Sequence, residues 1–178
     1  EGMLKQLAGD FSGAVTAWEE VEKGEHRPSI ANAVVLRSDL LLSMKKIKEK
    51  DAINELEKLR FAWRGGGFEF ALLHKLGRLY LDVADYPNGL RTLRAAASYF
   101  RGNPDAGAVT QEMTGAFTDL YLNDAADSMT PVKAIALFEE FKELTPSGEK
   151  GDEMIRKLAD RLAAVDLLDR AAKLLEQQ

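Results

Sequence analysis

The sequence predicts an all-α protein built from about four and a half antiparallel helical hairpins. Three observations carry that expectation. Apolar residues recur at three- and four-residue spacing through nearly the whole chain, as along one face of a helix. No stretch alternates apolar and polar residues with period two, and no Asn-Gly or Asp-Gly turn joins two such stretches, so strands are not expected. A small residue opens the apolar face of a second helix at Ala14, Ala52, Gly89, Ala134 and Ala171, at spacings of 38, 37, 45 and 37 residues.

The clearest copy runs over residues 73–104. Leu73, Leu76, Leu79, Tyr80 and Val83 form one stripe, with Gly77 beside it to admit another helix at close range. Asp85-Tyr86-Pro87 breaks the run. A proline costs little in the first turn of the next helix, where its missing N–H would have no partner. Leu90, Leu93, Ala96 and Ala97 face one way in that helix, and Gly102 and Pro104 mark its end and the start of another.

These residues resemble the tetratricopeptide repeat (TPR), whose Leu-Gly pair, following aromatic, small and large second-helix residues and closing proline are filled by Leu76-Gly77, Tyr80, Gly89, Leu93 and Pro104. The departures are glycine at 89, where the family carries alanine, and a proline about three residues late. The family period is about 34 residues, so every connection here is longer. The resemblance implies a right-handed α-α superhelix, a solenoid in which each hairpin stacks on the next. It also implies a single repeat domain over 1–178, with repeats at 1–26 (partial), 28–64, 68–103, 104–146 and 149–178.

The other segments follow the same plan. Leu4 and Leu7 read as the tail of a first helix, Gly9-Asp10-Phe11 as a turn matching Ala84-Asp85-Tyr86, and Ala14, Val15 and Trp18 as the second helix. Ile30, Val34, Leu36, Leu40 and Leu41 precede Ala52, Ile53, Leu56 and Leu59 in the second segment. Val109, Met113, Ala116, Phe117 and Leu120 form the first helix of the fourth. An extended turn over 123–130 follows, with Thr130-Pro131 as cap and first turn of a helix carrying Ala134, Ile135, Phe138 and Phe141. Ile155, Leu158, Ala159 and Leu162, then Ala171 and Leu175, make the last. Glu1 is not a natural start and the pattern opens midway through a repeat, so a piece of a longer protein is expected. Trp18 would then lack its natural cover. Self-association through that end follows, and an upstream extension would abolish it.

Composition narrows function. With 46% hydrophobic and 30% charged residues the chain folds in water. A net charge of −5 argues against nucleic acid as partner. No cysteine is present, which removes disulfides, thiol catalysis and thiolate metal sites, but leaves the choice of cytoplasm or periplasm open. No apolar run approaches the roughly 20 residues of a membrane span, and no signal peptide is expected within this stretch, a targeting segment being free to lie outside it.

Candidate chemistry is sparse. His26 and His74 lie in separate segments without metal-ligand spacing, so no metal is expected and His26 reads as a loop residue. The pairs Glu19-Glu20 and Glu139-Glu140 point about 100° apart on a helix and read as solvated surface. Arg64-Gly65-Gly66-Gly67 lacks the lysine and hydroxyl of a phosphate loop and reads as a flexible turn between repeats. Lys45-Lys46-Ile47-Lys48-Glu49-Lys50 reads as a solvated helix–helix turn. No Gly-x-Ser-x-Gly motif occurs. An enzyme and a cofactor are therefore not expected.

In proteins that this one resembles, the first helix of each hairpin lines a concave wall that holds a partner segment. The corresponding polar positions are Arg37, Ser38, Leu41 and Lys45 in the second segment; His74, Lys75, Arg78 and Asp82 in the third; Thr114, Gly115, Thr118 and Tyr121 in the fourth; and Arg156, Lys157 and Asp160 in the fifth. The resemblance thus implies a locally basic groove, formed by Arg37, Lys45, His74, Lys75, Arg78, Arg156 and Lys157, that suits an acidic segment of another protein or peptide. Family clamps for a C-terminal carboxylate include groove asparagines, which the matching positions here lack. The plainer alternative makes these residues ordinary surface charges. Phe61, Trp63, Phe68 and Phe70 around the triple glycine are either an aromatic hot spot or filling between repeats. Three functions follow: an interaction scaffold, a structural spacer inside a longer protein, and an enzyme with a scattered site, in that order.

Overall fold

The computed structural model describes residues 1–164 and 168–176. Ten α-helices occupy them: α1 (Gly2–Leu7), α2 (Phe11–Glu22), α3 (Arg27–Ser43), α4 (Glu49–Ala62), α5 (Gly66–Asp82), α6 (Tyr86–Tyr99), α7 (Ala106–Leu122), α8 (Pro131–Glu140), α9 (Glu149–Ala164) and α10 (Leu168–Leu175). Short 3-10 turns cover Ala125–Ser128 and Lys142–Leu144. Among the described residues there is no strand, so the fold is all-α, as the periodicity predicts.

The helices fall into two compact units, Glu1–Ala106 and Gly107–Gln178. In the first, each helix packs on its chain neighbours: α1 on α2, α2 on α3, α3 on α4, α4 on α5 and α5 on α6. Ala52, Ile53 and Leu56 of α4 meet Leu72, Leu76 and Leu79 of α5 in one core cluster. Ala14 and Trp18 of α2 meet Ala33 and Leu40 of α3 in another. Helix α3 is covered on both sides, which is why Ala31, Ala33 and Ser38 are buried along with Leu40, while Ile30, Val34, Leu36 and Leu41 are only half-buried.

The turns recur in detail. After α1, α3 and α5 the chain enters the left-handed region, at Gly9 (φ 80°), Lys45 (φ 55°) and Ala84 (φ 59°). The next amide then reaches back five residues: Asp10 N–H to Lys5 O at 2.9 Å, Lys46 to Leu41 at 2.8 Å, and Asp85 to Tyr80 at 2.9 Å. This Schellman closure satisfies carbonyls that the helix end leaves open. Asp10 and Asp85 then cap the following helices, accepting from Gly13 N–H at 2.9 Å and Asn88 N–H at 3.3 Å. His26 is also a cap: its Nδ1 accepts from Ser29 N–H at 3.3 Å.

Gly77 acts as predicted. A Cβ there would lie 2.6 Å from Leu93 Cγ, so α5 and α6 meet without a side chain between them. Gly89 lies opposite, where a Cβ would come within 3.3 Å of Gly77 O. Glycine at 89 rather than alanine fits that crossing.

Several expectations are corrected. Trp18 is covered, at 4% exposure. Gly2 of α1 lies against its indole, where a Cβ would be 2.8 Å from Trp18 Cδ1, so the missing side chain lets α1 close over the ring. Gly66 and Gly67 are not loop but the first turn of α5. Gly65 (φ 94°) and Gly66 (φ 72°) make the entry, and the buried Glu69 carboxylate fixes it by accepting from Gly65 N–H. Gly102 does not close α6, which ends at Tyr99 with Phe100 as its cap.

In the second unit α8 packs on α9 and α9 on α10. Phe117 of α7 stacks on Phe138 of α8 at 5.7 Å, and Tyr121 of α7 meets the same ring edge-on at 5.4 Å. Tyr121, read above as groove-facing, is fully buried, because its hydroxyl donates to Ala134 O at 2.6 Å. Thr130 caps α8 as expected, accepting from Lys133 N–H at 3.4 Å. Met154 rather than Ile155 takes the core position in α9. The side chain of Ala171 lies outside the described residues.

Candidate functional site

Helix α5 builds the candidate site. Phe70, His74 and Arg78 recur every four residues, and Gly67, Ala71, Lys75 and Leu79 form the adjacent row. Side chains four apart share a helix face, so the two rows make one broad surface. With Asp39 of α3 and Asn103 and Asp105 of the segment after α6, they line a cavity of about 470 Å³ within the first unit. Three of the predicted groove residues, His74, Lys75 and Arg78, are thus brought together.

Phe70 forms the apolar wall. It is buried, lies edge-on to Phe100 at 6.0 Å and sits 6.1 Å from the His74 ring. Lys75 is held from below, donating from Nζ to Asp39 Oδ2. Asn103 Oδ1 accepts from Asp105 N–H at 2.9 Å, which sets the shape of the rim. The lining carries two cations, Lys75 and Arg78, and two carboxylates, Asp39 and Asp105, beside His74.

The other predicted groove residues go elsewhere. Arg37 is half-buried and bound to Glu22 of α2 through Nε at 2.7 Å and Nη2 at 3.1 Å. The hydrogen bond to Glu22 raises its pKa, so it stays a cation. Lys45 is exposed in the turn between α3 and α4. In the second unit Arg156 is exposed on α9. Lys157 donates to Leu122 O at 2.6 Å and pairs with Asp124 at 3.4 Å. Arg161 joins it, reaching Asp127 at 2.6 Å, Asp124 at 3.3 Å and Tyr121 O at 3.4 Å. Both cations close the C-terminal end of α7, where the helix dipole favours positive charge.

The four aromatics also separate. Phe70 belongs to the core and the cavity wall. Trp63 and Phe68, half-buried, pair edge to face at 5.4 Å across the glycine entry. Phe61 is 78% exposed. Asp39, Asn103 and Asp105 were not singled out in the sequence. Asp39 carries a usable signal, since it lies 36 residues before Lys75, about one repeat, and so beside it once the first helices are aligned. Asn103 and Asp105 belong to an irregular segment with no period to betray them.

No family profile and no curated protein matches the sequence. Solved structures do. A putative kinesin light chain from Podosopora anserina, described as nearly identical TPR-like repeats, has 16% identity and a TM-score of 0.53, over 99% of this chain and 89% of that one. MamA has 18% identity and a TM-score of 0.53, over 98% and 90%. The fold is the TPR-like helical repeat. In TPR-like terms α1, α3, α5, α7 and α9 are first helices, and the cavity lies between two of them, α3 and α5. Among the described residues no three His, Asp or Glu side chains gather as a metal site would. No described helix is long and apolar enough to cross a membrane.

Proposed function

We propose that this TPR-like chain is a protein–protein interaction module that binds a segment of a partner in the α3/α5 cavity. The observation that carries the reading is convergence: one helix turns an aromatic wall, a histidine and two cations into a single concavity. Concave sites with an apolar wall and a few polar groups are where ligands bind. Arg78 and Lys75 suit an acidic side chain of the partner. Asp39 and Asp105 restrict that preference, because a strongly acidic segment must displace Lys75 from Asp39 and pass Asp105. The favoured ligand is therefore a short segment with one or two carboxylates beside an apolar residue that meets Phe70. No nucleic acid and no catalysis enter this reading.

Selection of a random peptide library on the immobilised chain tests it, followed by anisotropy titration of the selected peptides. Carboxylate-bearing peptides should be enriched, and Lys75→Glu/Arg78→Glu should weaken them at least about tenfold, as loss of two charge-assisted contacts implies. Equal binding to both forms would move the site off α5. Failure to enrich any peptide would favour the structural spacer, a reading that draws on the internal pairing of Lys75 with Asp39 and Arg37 with Glu22.

A further inference from the structure

The α3/α5 cavity holds an ion pair of its own. Lys75 donates to Asp39 across the two first helices, with side chains 31% and 40% exposed. The two ends of this pair differ in freedom. Asp39 is short and stands between Ser38 and Leu40, both buried, so its carboxylate stays on the wall. Lys75 has a long, flexible stem and can turn to a new partner. A purely acidic segment therefore meets an obstacle. It takes Lys75 only by leaving Asp39 without a cation, and it lays a second carboxylate beside it. Water solvates Asp39 in the open cavity but is excluded once a ligand covers it. A carboxylate that is both desolvated and next to another carboxylate works against the ligand that put it there. Asp105 at the rim adds to the obstacle, so the two cations of the lining, Lys75 and Arg78, are matched by two carboxylates.

We propose, resting on the partner-binding role given above, that the cavity selects an amphoteric segment and that Asp39 is the residue that demands the base. Such a segment carries one acidic and one basic side chain beside the apolar residue that meets Phe70. Its acid goes to Lys75 and its base goes to Asp39. One internal pair is exchanged for two across the contact, and neither Lys75 nor Asp39 is covered without a partner. A basic segment without an acid fails for the converse reason, since it takes Asp39 and leaves the Lys75 ammonium covered and unpaired. Complementarity of both signs fixes the direction in which the segment lies as well as its composition.

The test is selection of one random peptide library in parallel on the immobilised wild type and on Asp39→Asn, with both pools sequenced. Asparagine keeps the shape of the side chain, so circular dichroism should be unchanged. Wild-type peptides should carry a glutamate or aspartate and a lysine or arginine close to an apolar residue. The Asp39→Asn pool should keep the acidic residue and lose the basic one, because Lys75 then leaves no carboxylate behind. Anisotropy titration of the best wild-type peptide and of its counterpart with the basic residue replaced by glutamine gives the magnitude. The replacement should cost about fivefold on the wild type, the worth of one partly exposed ion pair, and nothing on Asp39→Asn. A wild-type pool rich in acid without base, or an equal cost on both forms, would overturn the inference and leave carboxylate binding in the cavity standing. Pools with no enrichment, or with no charge selected on either form, would overturn it together with the role it rests on.

Discussion

Replacing Gly77 and Gly89 separately by alanine probes the α5/α6 crossing. Both lie inside helices, where alanine is favoured over glycine by up to about 1 kcal/mol. Were helix propensity all that mattered, both variants would gain stability. At Gly77 the new Cβ would sit 2.6 Å from Leu93 Cγ and Cδ2 and 3.3 Å from Leu93 N. Leu93 is fully buried and has nowhere to turn. Forcing a methyl into such packing costs about 1–3 kcal/mol, of which propensity returns up to about 1 kcal/mol, so Gly77→Ala should lose about 1–2 kcal/mol. At Gly89 the clash is with Leu81 Cδ2 at 2.6 Å and Cγ at 2.9 Å, with Gly77 O at 3.3 Å; Leu81 is only half-buried and can swing outward, and the carbonyl has to give by only a few tenths of an ångström. Gly89→Ala should therefore fall within about 0.5 kcal/mol of wild type. Urea unfolding followed by circular dichroism gives the overall cost, and hydrogen exchange in α5 and α6 gives the local one. A Gly77→Ala variant at least as stable as wild type, or one less affected than Gly89→Ala, would refute the reasoning.

Three further outcomes follow from the same geometry. Ala84→Gly should raise stability by about 0.5–1 kcal/mol, because Ala84 holds a left-handed φ of 59°, and Gly9→Ala should lower it by a similar amount; paired thermal melts check both. Gly151→Ala should cost about 2 kcal/mol or more, since its Cβ would overlap the Pro146 carbonyl, which is backbone and cannot rotate away; the urea midpoint reads it. Burial, then the 2.7 Å bond to Glu57, push the Tyr80 phenol up to about 12. A raised folded value means the protonated form is favoured by folding. That stability is whole below about pH 10 and drains away between pH 10 and 12. Burial raises Tyr121 too and adds to the loss. Tyr80→Phe should flatten its share, seen as a smaller fall in urea midpoint between pH 9 and 11.5.

Much of the fold was legible because TPR-like hairpins write their periods directly. Leu73, Leu76 and Leu79 share a stripe, Gly77 marks the crossing, and Thr130-Pro131 and Asp85-Tyr86-Pro87 punctuate the helices. Burial was less legible in α3, which is packed on two sides, so alanines take core positions that a one-stripe reading gives to Ile30 and Val34. The cover on Trp18 was missed because it depends on Gly2, a residue whose contribution is the absence of a side chain. Of the candidate site, His74, Lys75 and Arg78 of α5 came from the resemblance to the tetratricopeptide repeat, which marks first-helix positions beside the apolar stripe as groove-facing. Charge pairing was not readable there: Arg37 meets Glu22 of the preceding hairpin, and Lys157 meets a carbonyl that no sequence pattern displays. Of the carboxylates that temper the cavity, Asp105 was hidden in the same way, whereas Asp39 was readable from its offset of 36 residues, about one repeat, before Lys75.

The cations at the end of α7 have a consequence for how this chain can be cut. A piece ending after Pro146 would keep every residue of α7 and of the 123–130 extension, yet lose Lys157 and Arg161, which hold Leu122 O, Tyr121 O, Asp124 and Asp127. The carbonyls at the end of α7 would revert to water, and the extension would lose its moorings. The fourth hairpin is thus finished by the fifth, and a boundary placed at residue 148, natural by repeat count, severs a helix from its own terminator.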